Sequence, residues 1–260
     1  MLVVSAHLDD AVLSWGGTIA GLTRRGVRVV VLTVFAGQGG DPLPPYAEQY
    51  HSWWRASGTA AGTAAAGMRL RREEDARACA VLAAEPAHLD LIEALYRRRS
   101  DGSPRCAAGD DLFSAPEPDD LALVRAVAGV LAGWVAELAP GEVHAPAAVG
   151  GHLDHVLTAR ACAAALRGGP PVRWYEDLPY ALEPPEPGTP AAGLGPAAAS
   201  PLTGGDWRRK VEAAAAYRSQ HPMLWDDDWP DRLLAHAREA GGGTPAERHW
   251  AALPSPNGDH

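Results

Sequence analysis

Apolar positions along the chain switch between two spacings. Residues 2–7, LVVSAH, form an unbroken β-rich run of the kind buried on both faces of a parallel sheet. The next stretch, DAVLSWGGTIAGLTRRG, spaces its apolar residues as a helix does and stops at Gly26. VRVVVLTVFAG is a second buried strand, so these pieces predict one right-handed βαβ unit. Beyond a Gly/Pro-rich loop at 37–45, the pattern predicts helices over 47–60 and over MRLRREEDARACAVLAA, then a third strand in HLDLIEA. A helix in DDLALVRAVAGVLAGWVAEL, a strand in EVHAPAAV, a helix in HLDHVLTARACAAALR and a strand in VRWYEDL complete the alternation. Strands and helices in this order predict a doubly wound α/β sheet. Residues 182–205 lack any period and are expected to form a long loop inside a single domain spanning 1–260.

Bulk properties narrow the function. A net charge of -9 disfavours nucleic-acid or anionic-lipid surfaces, which require basic patches. No run approaches the ~18 unbroken apolar residues of a membrane span, so no integral membrane segment is expected. The three cysteines, Cys79, Cys106 and Cys162, lack metal or redox spacing, and a reduced cytoplasmic setting is the simplest expectation.

One triplet stands out. His-Leu-Asp occurs in AHLDD at 6–10, in AHLD at 87–90 and in GHLDH at 151–155. The first and third copies follow predicted strands and open predicted helices, where open α/β sheets bind ligands. A helix cap accounts for one of Asp9 and Asp10 and leaves His7 and the other aspartate unexplained. His152 and His155 lie three apart, on one side of a first turn. Two strand ends therefore bring together His7, Asp9, Asp10, His152, Asp154 and His155, which suits a catalytic metal with an open position for water. The middle copy is expected to precede its strand, putting His88 and Asp90 on the wrong side of the sheet.

These motifs resemble the PIG-L/LmbE family of zinc-dependent N-deacetylases, which carries AH-x-DD and H-x-DH. Further likeness runs from residue 1 to about 220: Arg71, Glu74, Ala78 and Leu82 in an R-x-x-E pattern, then VRWYEDLPYA and YRSQ. These last are similar to the subgroup acting on N-acetylglucosaminyl groups of glycopeptide antibiotics. The resemblance implies a Rossmann-like, LmbE-like fold, a mostly parallel sheet with helices on both faces. It makes His7, Asp10 and His155 zinc ligands, Asp9 the general base, and His152 a charged group that stabilises and protonates the tetrahedral intermediate. Iron(II) suits the same ligands. Asp154 either holds His152 protonated or caps its helix. Arg71 matches an arginine that contacts substrate hydroxyls, and Glu93 stands where an aspartate is usual on the substrate side. Trp54 is carried with them as a substrate contact; Trp53, Trp174 and Tyr175 also offer rings to a sugar, or fill the core. Gly37–Asp41 either lines the pocket or is an ordinary loop. Gly150 replaces a tyrosine found near the oxyanion in some members, and Ala83 replaces a glycine after the helical leucine.

The implied substrate is a small amino sugar or glycosylated natural product. Two other readings stay open: a thiol-conjugate amidase or longer-chain deacylase with the same metal, and a silent sugar-binding module. A base and an acid together argue against the latter.

Overall fold

Helices cover both faces of one sheet because alternate residues of its central strands are apolar on both sides. The structure, a computed structural model, describes residues 1–40, 42–56, 63–183, 194–224 and 228–253. Seven strands are described: β1 (Leu2–Ser5), β2 (Val30–Thr33), β3 (Glu85–His88), β4 (Val143–Pro146), β5 (Val172–Tyr175), β6 (Ala198–Pro201) and β7 (Ala246–Trp250). Their order is β3-β2-β1-β4-β5-β7-β6, with the first five parallel and β7 antiparallel to both neighbours. Leu2 and Val4 face one core, with Val127 and Leu131 of α4 (Pro118–Leu138) and Leu153 and Leu157 of α5 (Leu153–Ala165). Val3 faces the other, with Trp15 and Ile19 of α1 (Asp10–Arg24), Cys79 of α3 (Ala64–Val81) and Ala213 of α6 (Gly204–Ala214). The predicted α/β layering is therefore the observed one.

The strand order reverses between β1 and β4, so a crevice opens beyond their carboxyl ends, where both HLD-bearing helices begin. α1 stops as expected at Gly26, whose φ of +80° is left-handed. α2 (Pro45–Ala56) matches the helix predicted from 47, whose last residues, 57–60, lie outside the described ones. α4 is apolar enough to pass for a membrane span by composition, with a mean hydropathy of 1.7, but packs Val127 and Leu131 into the core beside α5.

Three expectations need correction. The third strand is Glu85–His88 rather than HLDLIEA, and it pairs Val30 with Glu85 through Thr33 with His88. As an edge strand it is half exposed, so apolar pattern does not mark it. His88 therefore lies at the carboxyl end of the sheet, not the amino end. The 182–205 loop also contains β6, which pairs with β7; residues 184–193 lie outside the described residues. Both strands were invisible to pattern because AERHW and AASP lack apolar alternation. β7 can bury Glu247 because Lys210 Nζ meets it at 2.6 Å and it accepts the Gly17 and Thr18 N–H groups at 3.0 and 2.8 Å.

Candidate metal centre and substrate cleft

The turn from β1 into α1 aims three side chains at the crevice. Ser5 Oγ accepts the Ala11 N–H at 3.1 Å and donates to the His7 carbonyl at 2.7 Å, thereby supplying the helix cap. Asp9 occupies the N-cap position, yet its carboxylate makes no capping bond. Asp10 Oδ2 accepts the His7 N–H at 2.7 Å. Beyond β4, Gly150 and Gly151 have left-handed φ of +86° and +75°, which lets the chain turn sharply into α5. His152 caps that helix, its Nδ1 accepting the Asp154 N–H at 3.3 Å.

Around Asp10 Oδ2, His7 from the turn before α1 and His155 from the first turn of α5 close in. His7 Nδ1 lies 3.5 Å from it and His155 Nε2 lies 3.2 Å away. Donors about 2.05 Å from a tetrahedral ion stand ~3.3 Å apart, so this spacing fits a divalent cation. His155 Nε2 is buried without a hydrogen-bond partner, as expected of an atom reserved for a metal. Each imidazole is steered from behind by a carboxylate: His7 Nε2 meets Asp154 Oδ2 at 3.0 Å, and His155 Nδ1 meets Asp177 Oδ1 at 2.6 Å. The ring nitrogens of His7, His152 and His155 lie within 4.8 Å of one another, so His152 borders the same centre.

Charge follows the geometry. Burial pushes the His7 imidazole down, but the bonds and charges of Asp10 and Asp154 outweigh it and raise it to about 9. His155 is likewise raised well above its ordinary value, since Asp10 and Asp177 outweigh its burial. Burial opposes ionisation of Asp10, yet the two histidines hold it well below the usual carboxylate range. Asp9, buried beside ionised Asp10, is pushed up to about 8, with Arg71 opposing. His152 goes the other way: burial, then the charges of His7 and His155, hold it well below its ordinary value.

Two expectations about α5 change as a result. Asp154 neither caps the helix with its carboxylate nor protonates His152. Its oxygens serve His7, the Arg97 guanidinium at 2.6 Å and the Ala94 N–H at 2.8 Å. His152 is consequently neutral, and because its Nδ1 accepts, its Nε2 carries the proton.

The cleft above this centre has a volume of about 500 Å³. Arg71 and Glu93 reach it as a buried pair, 2.9 and 3.1 Å apart. The Arg71 guanidinium sits 5.9 Å over the Trp54 ring, which also faces the cleft. Trp53 and Phe113, 44% and 50% exposed, stand at its rim. Trp174 and Tyr175 belong to the core instead, where the Tyr175 hydroxyl bonds the Val4 carbonyl. Gly40 borders a separate cavity, and none of residues 37–40 lines this cleft; Asp41 lies outside the described residues. His88, in the middle copy of the triplet, bonds Asp75 at 2.7 Å and does not line this cleft.

Asp177 and Tyr180 lie in the quoted VRWYEDLPYA and Gln220 in YRSQ, but neither they nor Arg97 is assigned a role from sequence. Asp177 carried the same signal as His7, a polar residue just past a parallel strand. Tyr180 packs its ring 5.3 Å from His155 and 5.9 Å from His152. It occupies the space a Cβ at Gly150 would enter, 2.5 Å from the Tyr180 Cβ.

Known proteins resemble the chain along nearly its full length. The PIG-L pattern, described as GlcNAc-PI de-N-acetylase, matches residues 2–166. The 2'-N-acetylparomamine deacetylase of Streptomyces fradiae is 32% identical over 96% of this chain and 84% of its own. Among solved structures, the zinc-inhibited form of teicoplanin deacetylase Orf2 is 34% identical, with a TM-score of 0.84 over 98% of each chain. The A40926 pseudoaglycone deacetylase Dbv21 is 31% identical, with a TM-score of 0.78 over 97% of this chain and 98% of its own. On this evidence the chain belongs to the PIG-L family of de-N-acetylases.

Proposed function

We propose that the protein is a zinc hydrolase that removes the acetyl group from an N-acetylated amino sugar on a natural product. The observation that carries this reading is the convergence of His7 Nδ1, Asp10 Oδ2 and His155 Nε2, with the uncommitted Asp9 carboxylate beside them. When bound, the metal lowers the pKa of its water to about 7 and polarises the acetyl carbonyl. Asp9 takes the proton as water oxygen bonds to the acetyl carbon. The Nε2–H of His152, a residue only 7% exposed, donates to the oxygen that gains negative charge. Asp9 returns its proton to the nitrogen as the C–N bond breaks, and the acetic acid formed gives up its remaining hydroxyl proton to the freed amine, leaving acetate and an ammonium group. The deacetylase relatives of teicoplanin, A40926 and N-acetylparomamine support an antibiotic sugar as substrate. A longer acyl chain is the second reading, favoured by the exposed Trp53 and Phe113 rims.

The test is release of carboxylic acid from N-acetylglucosaminides, their long-chain N-acyl analogues and thiol conjugates. Acetate release that is lost on chelation and restored by zinc supports the proposal. Turnover indifferent to chelation refutes it; restoration by iron(II) alone refutes the zinc assignment.

A further inference from the structure

The segment following α6 holds an arrangement that this chemistry leaves unused. α3 sends two consecutive buried carboxylates to it. Asp75 Oδ1 accepts from the Tyr217 hydroxyl at 2.7 Å, while Glu74 accepts the Ser219 N–H at 3.0 Å and the Ser219 Oγ–H at 2.6 Å. Ser219 Oγ in turn accepts the Gln220 Nε2–H at 2.8 Å.

The order of donors in this chain is fixed. A carboxylate only accepts, so the single hydroxyl proton of Ser219 goes to Glu74. Ser219 Oγ is then left as an acceptor, and the Gln220 carboxamide must face it with its NH₂ end. Glu74 thereby selects one of the two amide orientations at Gln220, a residue that lines the cleft and is only 3% exposed. Among the described residues, no group donates to Gln220 Oε1. Burying a carboxylate whose hydrogen-bond partners, among the described residues, are one serine hydroxyl and its backbone N–H is costly, and a loop could be held by apolar packing instead.

We infer that Gln220 Oε1 is a preset acceptor for a sugar hydroxyl of the substrate, with Glu74 and Ser219 as positioning residues. The inference rests on the amino-sugar reading above. The hydroxyl lies away from the scissile amide, so its bond is equally strong in ground and transition states and acts on KM.

Kinetics of acetate release from methyl N-acetylglucosaminide and its 3-, 4- and 6-deoxy forms test the assignment. Gln220→Met keeps the bulk and loses the acceptor, and should raise KM about 3- to 10-fold with kcat within about twofold. One deoxy sugar should show the same rise with the wild type and no further rise with Gln220→Met. Ser219→Ala should raise KM alone and add nothing in the Gln220→Met background, while Ser219→Thr, which keeps the hydroxyl, should stay near wild type. An unmoved KM in Gln220→Met, or additive effects of the two positions, overturns the assignment. A wild type that releases no acetate overturns the proposed function, and the assignment with it.

Discussion

Loading the metal should expel protons, and the structure sets how many. Without metal, His7 titrates near 9 and His155 well above its ordinary value, so at pH 7 both imidazoles are charged. Each keeps the proton shared with its rear carboxylate, Asp154 or Asp177, and must lose the one facing Asp10. Asp10 is already ionised and contributes none. Asp9, raised to about 8, adds up to one more, so Asp9→Asn isolates the histidines. The expected release at pH 7 is about two protons per metal in Asp9→Asn, and apparent affinity should rise about 100-fold per pH unit below the His7 value. Titration calorimetry of zinc into metal-depleted protein, in buffers of different ionisation enthalpy, counts them directly. Release of less than about half a proton, or affinity flat between pH 6 and 8, would refute the ligand assignment.

Other consequences reach beyond the metal. His144 accepts the Trp15 Nε1–H at 2.6 Å, and burial pushes it down to about 4, so the unfolded chain binds more protons between pH 4 and 6.5. Stability from this group is complete above about pH 6.5 and lost toward pH 4, by roughly 3 kcal/mol; urea titrations of His144→Asn should lack that slope, and matching slopes would disprove it. Ala83 ends α3 with φ of +55°, so Ala83→Gly should stabilise by up to about 1 kcal/mol, read as a higher urea midpoint. Gly150→Ala drives a Cβ to 2.5 Å from the Tyr180 Cβ and should cut kcat with zinc content intact. His88→Ala should keep both zinc and rate, measured by elemental analysis and acetate release.

Residues whose role is set by local chain order were legible in the sequence. AHLDD after one strand and GGHLDH after another put His7, Asp10 and His155 at helix starts whatever the distant packing does, and the three do converge. Roles set by partners far along the chain were not. The spacing of Asp154 to His152 suggested a pair, but Arg97 and Ala94, brought in by the segment after β3, claim its carboxylate for His7. β6 and β7 carry no apolar alternation, and only pairing with each other and with β5 makes them strands. YRSQ stood out only as a resemblance, and nothing local showed that Glu74, nearly 150 positions earlier, holds Ser219 beside Gln220.

The proposed chemistry requires Asp9 to work beside the metal without binding it. Asp9→Asn, assayed for bound metal by elemental analysis and for acetate release in the same preparation, tests this directly. The account predicts metal content near wild type and a rate lower by about 10²- to 10⁴-fold, carried by kcat. Loss of the metal, or a wild-type rate, would contradict it.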